Sequence, residues 1–348
     1  MHNDIRMNKL IAFIIAFALL PKCFIFGAEN LADNITLILP NNDLEISEAV
    51  ITSTDKLYPG PLQIPVNKLG LSGLELHAEE EFSELLQLDL NLLSQIYSDM
   101  PSSQHGKILD IDLARKLFPP FDDGLIGANL YSESTHVPAS QFINYLFKTD
   151  VIRISNEKEA PAMLFLAGGG GSGKGTIGKV LPNIYDDVDL VLDGTLASLK
   201  KARDRIQYVL KHGFKTNIIY VFRPVDLAIP GIVQRAMRTG RGVPIVVAAE
   251  DHYDAQKTVL ALSKEFSDQI NIIVINNSGE FNPRMESDVQ SFLNSEGVAY
   301  KSKDEAISRA IKAYQDYVKN HKITPELKAV LERGMPSVSK VDDTNSNL

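Results

Sequence analysis

From about residue 105 onward, short runs of almost continuously apolar residues alternate with segments whose apolar positions recur every three or four places. Ala162 to Ala167, Val188 to Leu192, Ile218 to Phe222 and Ile270 to Ile275 are the apolar runs. Each predicts a strand covered on both faces, because a half-exposed strand alternates apolar with polar residues. Lys107 to Ile111 predicts a further strand, followed by a polar turn and a short helix that stops before Pro119-Pro120. Helical spacing predicts helices over Ala139 to Lys148, Leu196 to Val209 with a cap at Gly213, Asp226 to Thr239, Val259 to Phe266, and Asp304 to Lys319. Strands alternating with helices imply an α/β fold built on a parallel sheet with helices on both faces, which binds its ligand at the carboxyl ends of the strands.

Upstream, Phe82, Leu85, Leu86, Leu93, Ile96 and Tyr97 share one stripe of a helix expected over Ala78 to Asp99, with glutamates crowding its first turn. That stripe suits packing against the α/β domain. At the N-terminus a charged start, Asp4 to Lys9, precedes the apolar stretch Leu10 to Leu20 and the small residues before Ala28. This is the pattern of an export leader, too short for an ordinary membrane span, with an uncleaved membrane anchor as the alternative. The chain thus divides into a leader at 1–28, an N-terminal mixed and helical region at 29–104, the α/β domain at 105–333, and a polar tail at 334–348 that reads as disordered.

Composition narrows the chemistry. The chain has 348 residues and a net charge of −9, so no global attraction draws it to nucleic acid. Its single cysteine, Cys23, lies in the leader, which excludes disulfides and cysteine-based zinc sites from the body.

Directly after the run Ala162 to Ala167 comes Gly168-Gly169-Gly170-Gly171-Ser172-Gly173-Lys174-Gly175-Thr176. A strand feeding a glycine-rich turn that opens a helix through Ile177 and Val180-Leu181 is the setting of a phosphate-binding loop, the hallmark of P-loop NTPases. Glycines let backbone N–H groups turn inward at phosphate oxygens, and the lysine supplies charge at the terminal phosphates. The hydroxyl residue that helps hold Mg²⁺ in such loops usually follows the lysine; here Gly175 stands there and Thr176 comes one place later. The Lys-Gly-Thr ending resembles that of adenylate kinases, which points to phosphotransferases. ATP and Mg²⁺ are the expected cofactors, and no Asn-Lys-x-Asp guanine motif accompanies the loop.

Asp193 ends an apolar strand at the expected ligand edge, where it can orient Mg²⁺, take a proton from a substrate hydroxyl, or cap the next helix. Arg235, Arg238 and Arg241 repeat every three residues before Gly242. Arginines so placed can close over the charge of a transferring phosphoryl group; a solvated basic face is the bland alternative. His252, beside Glu250 and Asp251, reads as a structural loop histidine, and Arg223 as a strand-end charge or a nucleotide contact.

Val191-Leu192-Asp193-Gly194-Thr195-Leu196, the helix after it and the arginine-bearing helix further on resemble the corresponding parts of zeta toxins. Asp112-Leu113-Ala114-Arg115-Lys116-Leu117-Phe118-Pro119 repeats the spacing of that family's Asp-x-x-Arg-x-x-x-Pro element. In the family this element lies between the phosphate loop and Asp-Gly-Thr; here it precedes the loop. The resemblance implies an ATP-dependent kinase acting on a small-molecule hydroxyl, with UDP-N-acetylamino sugars as the family's substrates. It makes Asp112 a candidate base beside Asp193, and Arg115 part of the site. It also implies an antitoxin-like or host-cell partner if the protein is toxic to its own cell. The alternatives are a kinase for a nucleoside, dinucleotide or nucleic-acid hydroxyl, and an inactive nucleotide-binding interaction module.

Overall fold

A computed structural model describes residues 62, 64, 71, 73–177, 184–279, 284–286 and 288–336. The expected leader, the tail beyond Pro336 and the continuation of the loop helix through Val180-Leu181 lie outside the described residues. In chain order the elements are helices α1 (Gly73–Leu88) and α2 (Leu90–Asp99), strand β1 (Ile108–Asp110), and the short helices α3 (Ile111–Ala114), α4 (Pro119–Asp122) and α5 (Gly124–Leu130). Next come α6 (His136–Glu157), β2 (Ala162–Ala167), β3 (Leu190–Asp193), α7 (Leu199–Lys211), β4 (Lys215–Phe222), α8 (Val225–Thr239) and α9 (Ile245–Glu265). The chain continues through β5 (Ile270–Asn276), β6 (Arg284–Glu286), α10 (Val289–Asn294), α11 (Lys303–Val318) and α12 (Pro325–Leu331).

The sheet order is β1-β3-β2-β4-β5-β6, parallel throughout except for the antiparallel edge strand β6. Alternation along β2 explains why it is apolar on both sides. Met163, Phe165 and Ala167 join the large core under α1, α2, α6, α7 and α9, while Leu164 and Leu166 face a second cluster with Ile177, Val188 and Val191. A third cluster ties α8 and α9 to α11 and α12.

Three elements differ from the sequence expectations. The single helix expected over Ala78 to Asp99 is two helices, because the Asp89 carboxylate accepts from Leu92 N at 3.0 Å and starts α2 afresh. The helix expected over Val259 to Phe266 begins at Ile245, so His252 is helical rather than in a loop. The helix expected over Ala139 to Lys148 is α6, which begins earlier, at His136, and runs on to Glu157.

The upstream helices close the sheet on its β1 side. Tyr97 of α2, fully buried, donates its hydroxyl to Ile108 O at 2.8 Å and accepts from Asp110 N at 2.8 Å. These backbone groups belong to the first and last residues of β1, so α2 is tied to both ends of that short strand.

Candidate active site

The phosphate loop leaves β2 at the centre of the sheet and is clamped from three directions. Gly168 N donates to Thr195 O at 3.1 Å, His252 Nε2 donates to Gly170 O at 2.8 Å, and Asn277 Nδ2 donates to Ser172 O at 2.7 Å. Two glycines are required sterically. A Cβ on Gly169 would fall 2.3 Å from the His252 ring, and one on Gly171, whose φ is +71°, would fall 2.7 Å from Ala228 O. The His252 imidazole is held down to about 4, by burial first, so it packs as a neutral donor. His252 thus takes the structural role expected for it. Asn277, read in the sequence only as the close of a strand, is part of the same clamp.

Lys174 Nζ reaches Gly168 O at 2.5 Å and Gly169 O at 3.4 Å. Burial lowers its pKa, with Asp193, Asp112 and Asp251 opposing that shift. Ser172 is buried in the loop and its Oγ has no hydrogen-bond partner among the described residues. Gly173 takes the left-handed conformation ahead of the short turn Lys174–Thr176, and Gly175 is exposed. A glycine-rich cradle, an unbonded buried hydroxyl and a lysine at its rim fit the phosphates of a nucleoside triphosphate.

Beside this loop the carboxyl ends of β1 and β3 carry acids in register, Asp110 opposite Asp193, while Asp193 in turn stands opposite Leu166 of β2. Asp110 caps α3 by accepting from Asp112 N at 2.8 Å, which sets Asp112 in the first turn after the strand. Asp112 Oδ1 accepts from Arg115 Nη1 at 3.3 Å and its Oδ2 pairs with Arg241 Nη2 at 2.5 Å. The Asp112 side chain nevertheless stays 37% exposed, whereas that of Arg241 is 17% exposed. Arg115 also binds His136 Nδ1 at 2.8 Å and lies over the Phe121 ring.

Electrostatics separates the three acids. Burial works to raise the Asp112 pKa, but Arg241, then Arg115 and Arg235, outweigh it and hold the carboxyl below its ordinary value. Asp193 is raised by burial, against Lys174 and with Asp112. Asp110 is pushed up to about 7 by burial, then by Asp112 and Asp193. Neighbouring acids with divergent proton affinities are the usual mark of a proton-handling site.

The structure therefore brings together Lys174, Asp193, Asp112, Arg115, Arg235 and Arg241. Arg238 is not among them: it is exposed in the last turn of α8. Arg223 bends back, Nε donating to Leu227 O at 3.1 Å. Of the residues considered for Mg²⁺, Asp193 stands beside the loop; the Thr176 side chain lies outside what is described. Among the described residues no three His, Cys, Asp or Glu side chains group as a metal cluster. Mg²⁺ needs only one or two carboxylates when phosphates complete its shell, so Asp193 with the loop suits it.

Sequence reasoning missed Asp110, His136 and Asp251. Asp110 carried a usable signal, an acid at the end of a strand like Asp193. Asp251 adjoins a histidine read as structural, and His136 had no signal at all.

Residues 183–283 match the family model described as Zeta toxin. The matched segment carries Asp193, Arg235, Arg238 and Arg241, while the phosphate loop and Asp112 lie upstream of it. No curated protein sequence matches the chain. A solved structure from the PezAT chromosomal toxin–antitoxin system of Streptococcus pneumoniae is similar over 50% of this chain and 96% of its own, at 11% identity and a TM-score of 0.29. Native AvrRxo1-ORF1:AvrRxo1-ORF2 is similar over 73% of this chain and 92% of its own, at 11% identity and a TM-score of 0.38. The same complex with sulphate ions covers 80% and 98%, at 12% identity and a TM-score of 0.40.

Proposed function

We propose that the protein is an ATP-dependent phosphotransferase of the zeta-toxin type, acting on a hydroxyl of a small molecule. The observation that carries this reading is the placement of Asp112, 37% exposed and bonded to Arg115 and Arg241, at the sheet edge that also holds Lys174 and Asp193. A phosphate cradle alone would serve any nucleotide-binding module. An ionised, accessible carboxylate backed by arginines beside that cradle is what phosphoryl transfer to a hydroxyl requires.

In this reading the loop amides and Lys174 would hold the triphosphate, and Asp193 would help hold Mg²⁺ beside it. ATP, when bound, supplies the phosphoryl group and ADP as the leaving group. Asp112 or Asp193 accepts the proton of the acceptor hydroxyl. The two differ in cost: Asp112 is ionised and ready but stabilised by its arginines, while Asp193 has the greater proton affinity. Arg235 and Arg241 spread the charge of the transferring group, and their fixed geometry makes the stabilisation effective. UDP-N-acetylamino sugars are the first acceptors to test, from the likeness of residues 183–283 to zeta toxins.

The test is mass spectrometry of UDP-N-acetylglucosamine and of a metabolite extract after incubation with ATP, Mg²⁺ and the protein. A phosphate gained by the sugar nucleotide, absent with Lys174→Ala, supports the whole reading. A phosphate gained by another metabolite keeps the reaction and replaces the acceptor, and ATP bound with no product contradicts the reading.

A further inference from the structure

His136 heads α6 and belongs to no motif in the chain. Its Nδ1 lies 2.8 Å from Arg115 Nη2. A guanidinium offers only N–H donors, so Nδ1 must be the bare, accepting nitrogen and the ring proton must sit on Nε2. The same guanidinium donates from Nη1 to Asp112 Oδ1 at 3.3 Å. Arg115 is only 8% exposed, and its Nε has no partner among the described residues. The imidazole and one carboxylate oxygen are thus the two polar contacts that set the plane of this buried fork.

We infer that His136 is a positioning residue of the site: its neutral ring accepts from Arg115 and turns that guanidinium toward Asp112. The inference rests on the reading above only in giving Asp112 a role toward the acceptor. The charged groups facing the ring are Arg115, Asp112, Lys201 of α7 and Arg241. Although the residue as a whole is exposed, burial around the ring, then the Arg115 guanidinium, push the imidazole down to about 4. Protonation would set an imidazolium against the guanidinium and remove the acceptor.

Two experiments on the full-length protein test this. Nitrogen-15 NMR of the histidine rings, with His136 assigned through the His136→Asn spectrum, reads the tautomer whether or not the protein is active. The expected signal is a bare Nδ1 and a protonated Nε2 between about pH 5 and 8, with the pKa rising only part of the way in Arg115→Ala, because burial, the larger cause of its depression, remains. A ring protonated on Nδ1, or one titrating near the ordinary value in both proteins, overturns the inference. The second experiment is a double-mutant cycle on kcat. His136→Ala is expected to lower kcat by about tenfold with KM for ATP unchanged, His136→Asn to restore most of it through its side-chain oxygen, and His136→Ala to add less than about twofold in an Arg115→Ala background. Additive losses, or no recovery with asparagine, overturn it. Should the wild-type protein transfer phosphate to no acceptor, the proposed function fails and the NMR result alone decides the inference.

Discussion

Asp112 and Arg241 pair at 2.5 Å although the phosphate loop lies between them in the chain. Asp112 arrives from the edge strand β1 and Arg241 from the segment just past α8, where Gly240 in the left-handed conformation ends the helix. The pair joins the element that resembles the zeta-toxin aspartate motif to the arginines within the zeta-toxin-like segment. Because β1 pairs with β3, Asp112, although upstream of the loop in the chain, still reaches the edge that holds Asp193.

This pairing separates two arginines that look equivalent in the sequence. Arg241→Ala should lower kcat for phosphoryl transfer by at least ~100-fold, since it removes charge stabilisation and unbalances Asp112. Arg238→Ala, at an exposed position, should stay within about twofold of wild type, the range of an ordinary surface change. Steady-state kinetics on both variants checks this; equal losses would mean that α8 turns Arg238 inward during turnover.

The Gly169 contact makes a prediction about nucleotide affinity. Gly169→Ala puts a methyl where the His252 ring stands, 2.3 Å away, and should weaken ATP binding by about tenfold or more as the loop shifts. His252→Ala opens that space at the cost of one clamp on Gly170. The double variant should therefore bind ATP better than Gly169→Ala alone, as isothermal titration would show. If the second substitution only worsens binding, steric conflict with His252 is not the reason for the glycine.

Tyr97 links the upstream helices to the chemistry. Tyr97→Phe leaves Asp110 N and Ile108 O without their shared hydroxyl, and a buried group left unpaired costs about 1–3 kcal/mol. Denaturant melts should show that loss, and kcat should fall as well, because Asp110 caps the turn that carries Asp112. A stability loss with kcat unchanged would confine α2 to a structural role.

Much of this was legible from residues alone. The four apolar runs became β2 to β5, and the loop after Ala167, the acid at Asp193 and the end of α8 at Gly240 all carried local signals strong enough to place. The upstream helix stripe does pack on the α/β domain, as Phe82, Leu86, Leu93 and Tyr97 in the main core show. What stayed hidden depends on contacts distant in sequence. His136 meets Arg115 only because α6 starts beside the turn after β1, and His252 meets the loop only because α9 runs beneath it. The spacing of Arg235, Arg238 and Arg241 put three arginines near one another, but only the fold shows that Arg238 faces outward. The antiparallel β6 is too short, at Arg284–Glu286, to leave a pattern.

Asp251 predicts a pH effect with a definite sign. Burial, opposed by Lys174, pushes its carboxyl up to about 6 from an ordinary 3.8. The folded state therefore holds this proton more tightly than the unfolded chain, so the stabilising contribution is full below the ordinary value and is lost as pH rises through about 6. Asp251→Asn, which mimics the protonated acid, should raise Tm over wild type at about pH 8, by up to ~3 kcal/mol in stability, and the difference should close near pH 4. Thermal melts across that range check it; a difference independent of pH would contradict the burial of this acid.

The most direct test of the central claim follows the γ-phosphate itself. The protein is incubated with Mg²⁺, ATP labelled in that phosphate and a metabolite extract containing UDP-N-acetylglucosamine, beside Lys174→Ala. The account predicts label in an organic product with the wild-type protein and none with the variant. Label released only as inorganic phosphate, or retained in ATP that the protein binds, would contradict it.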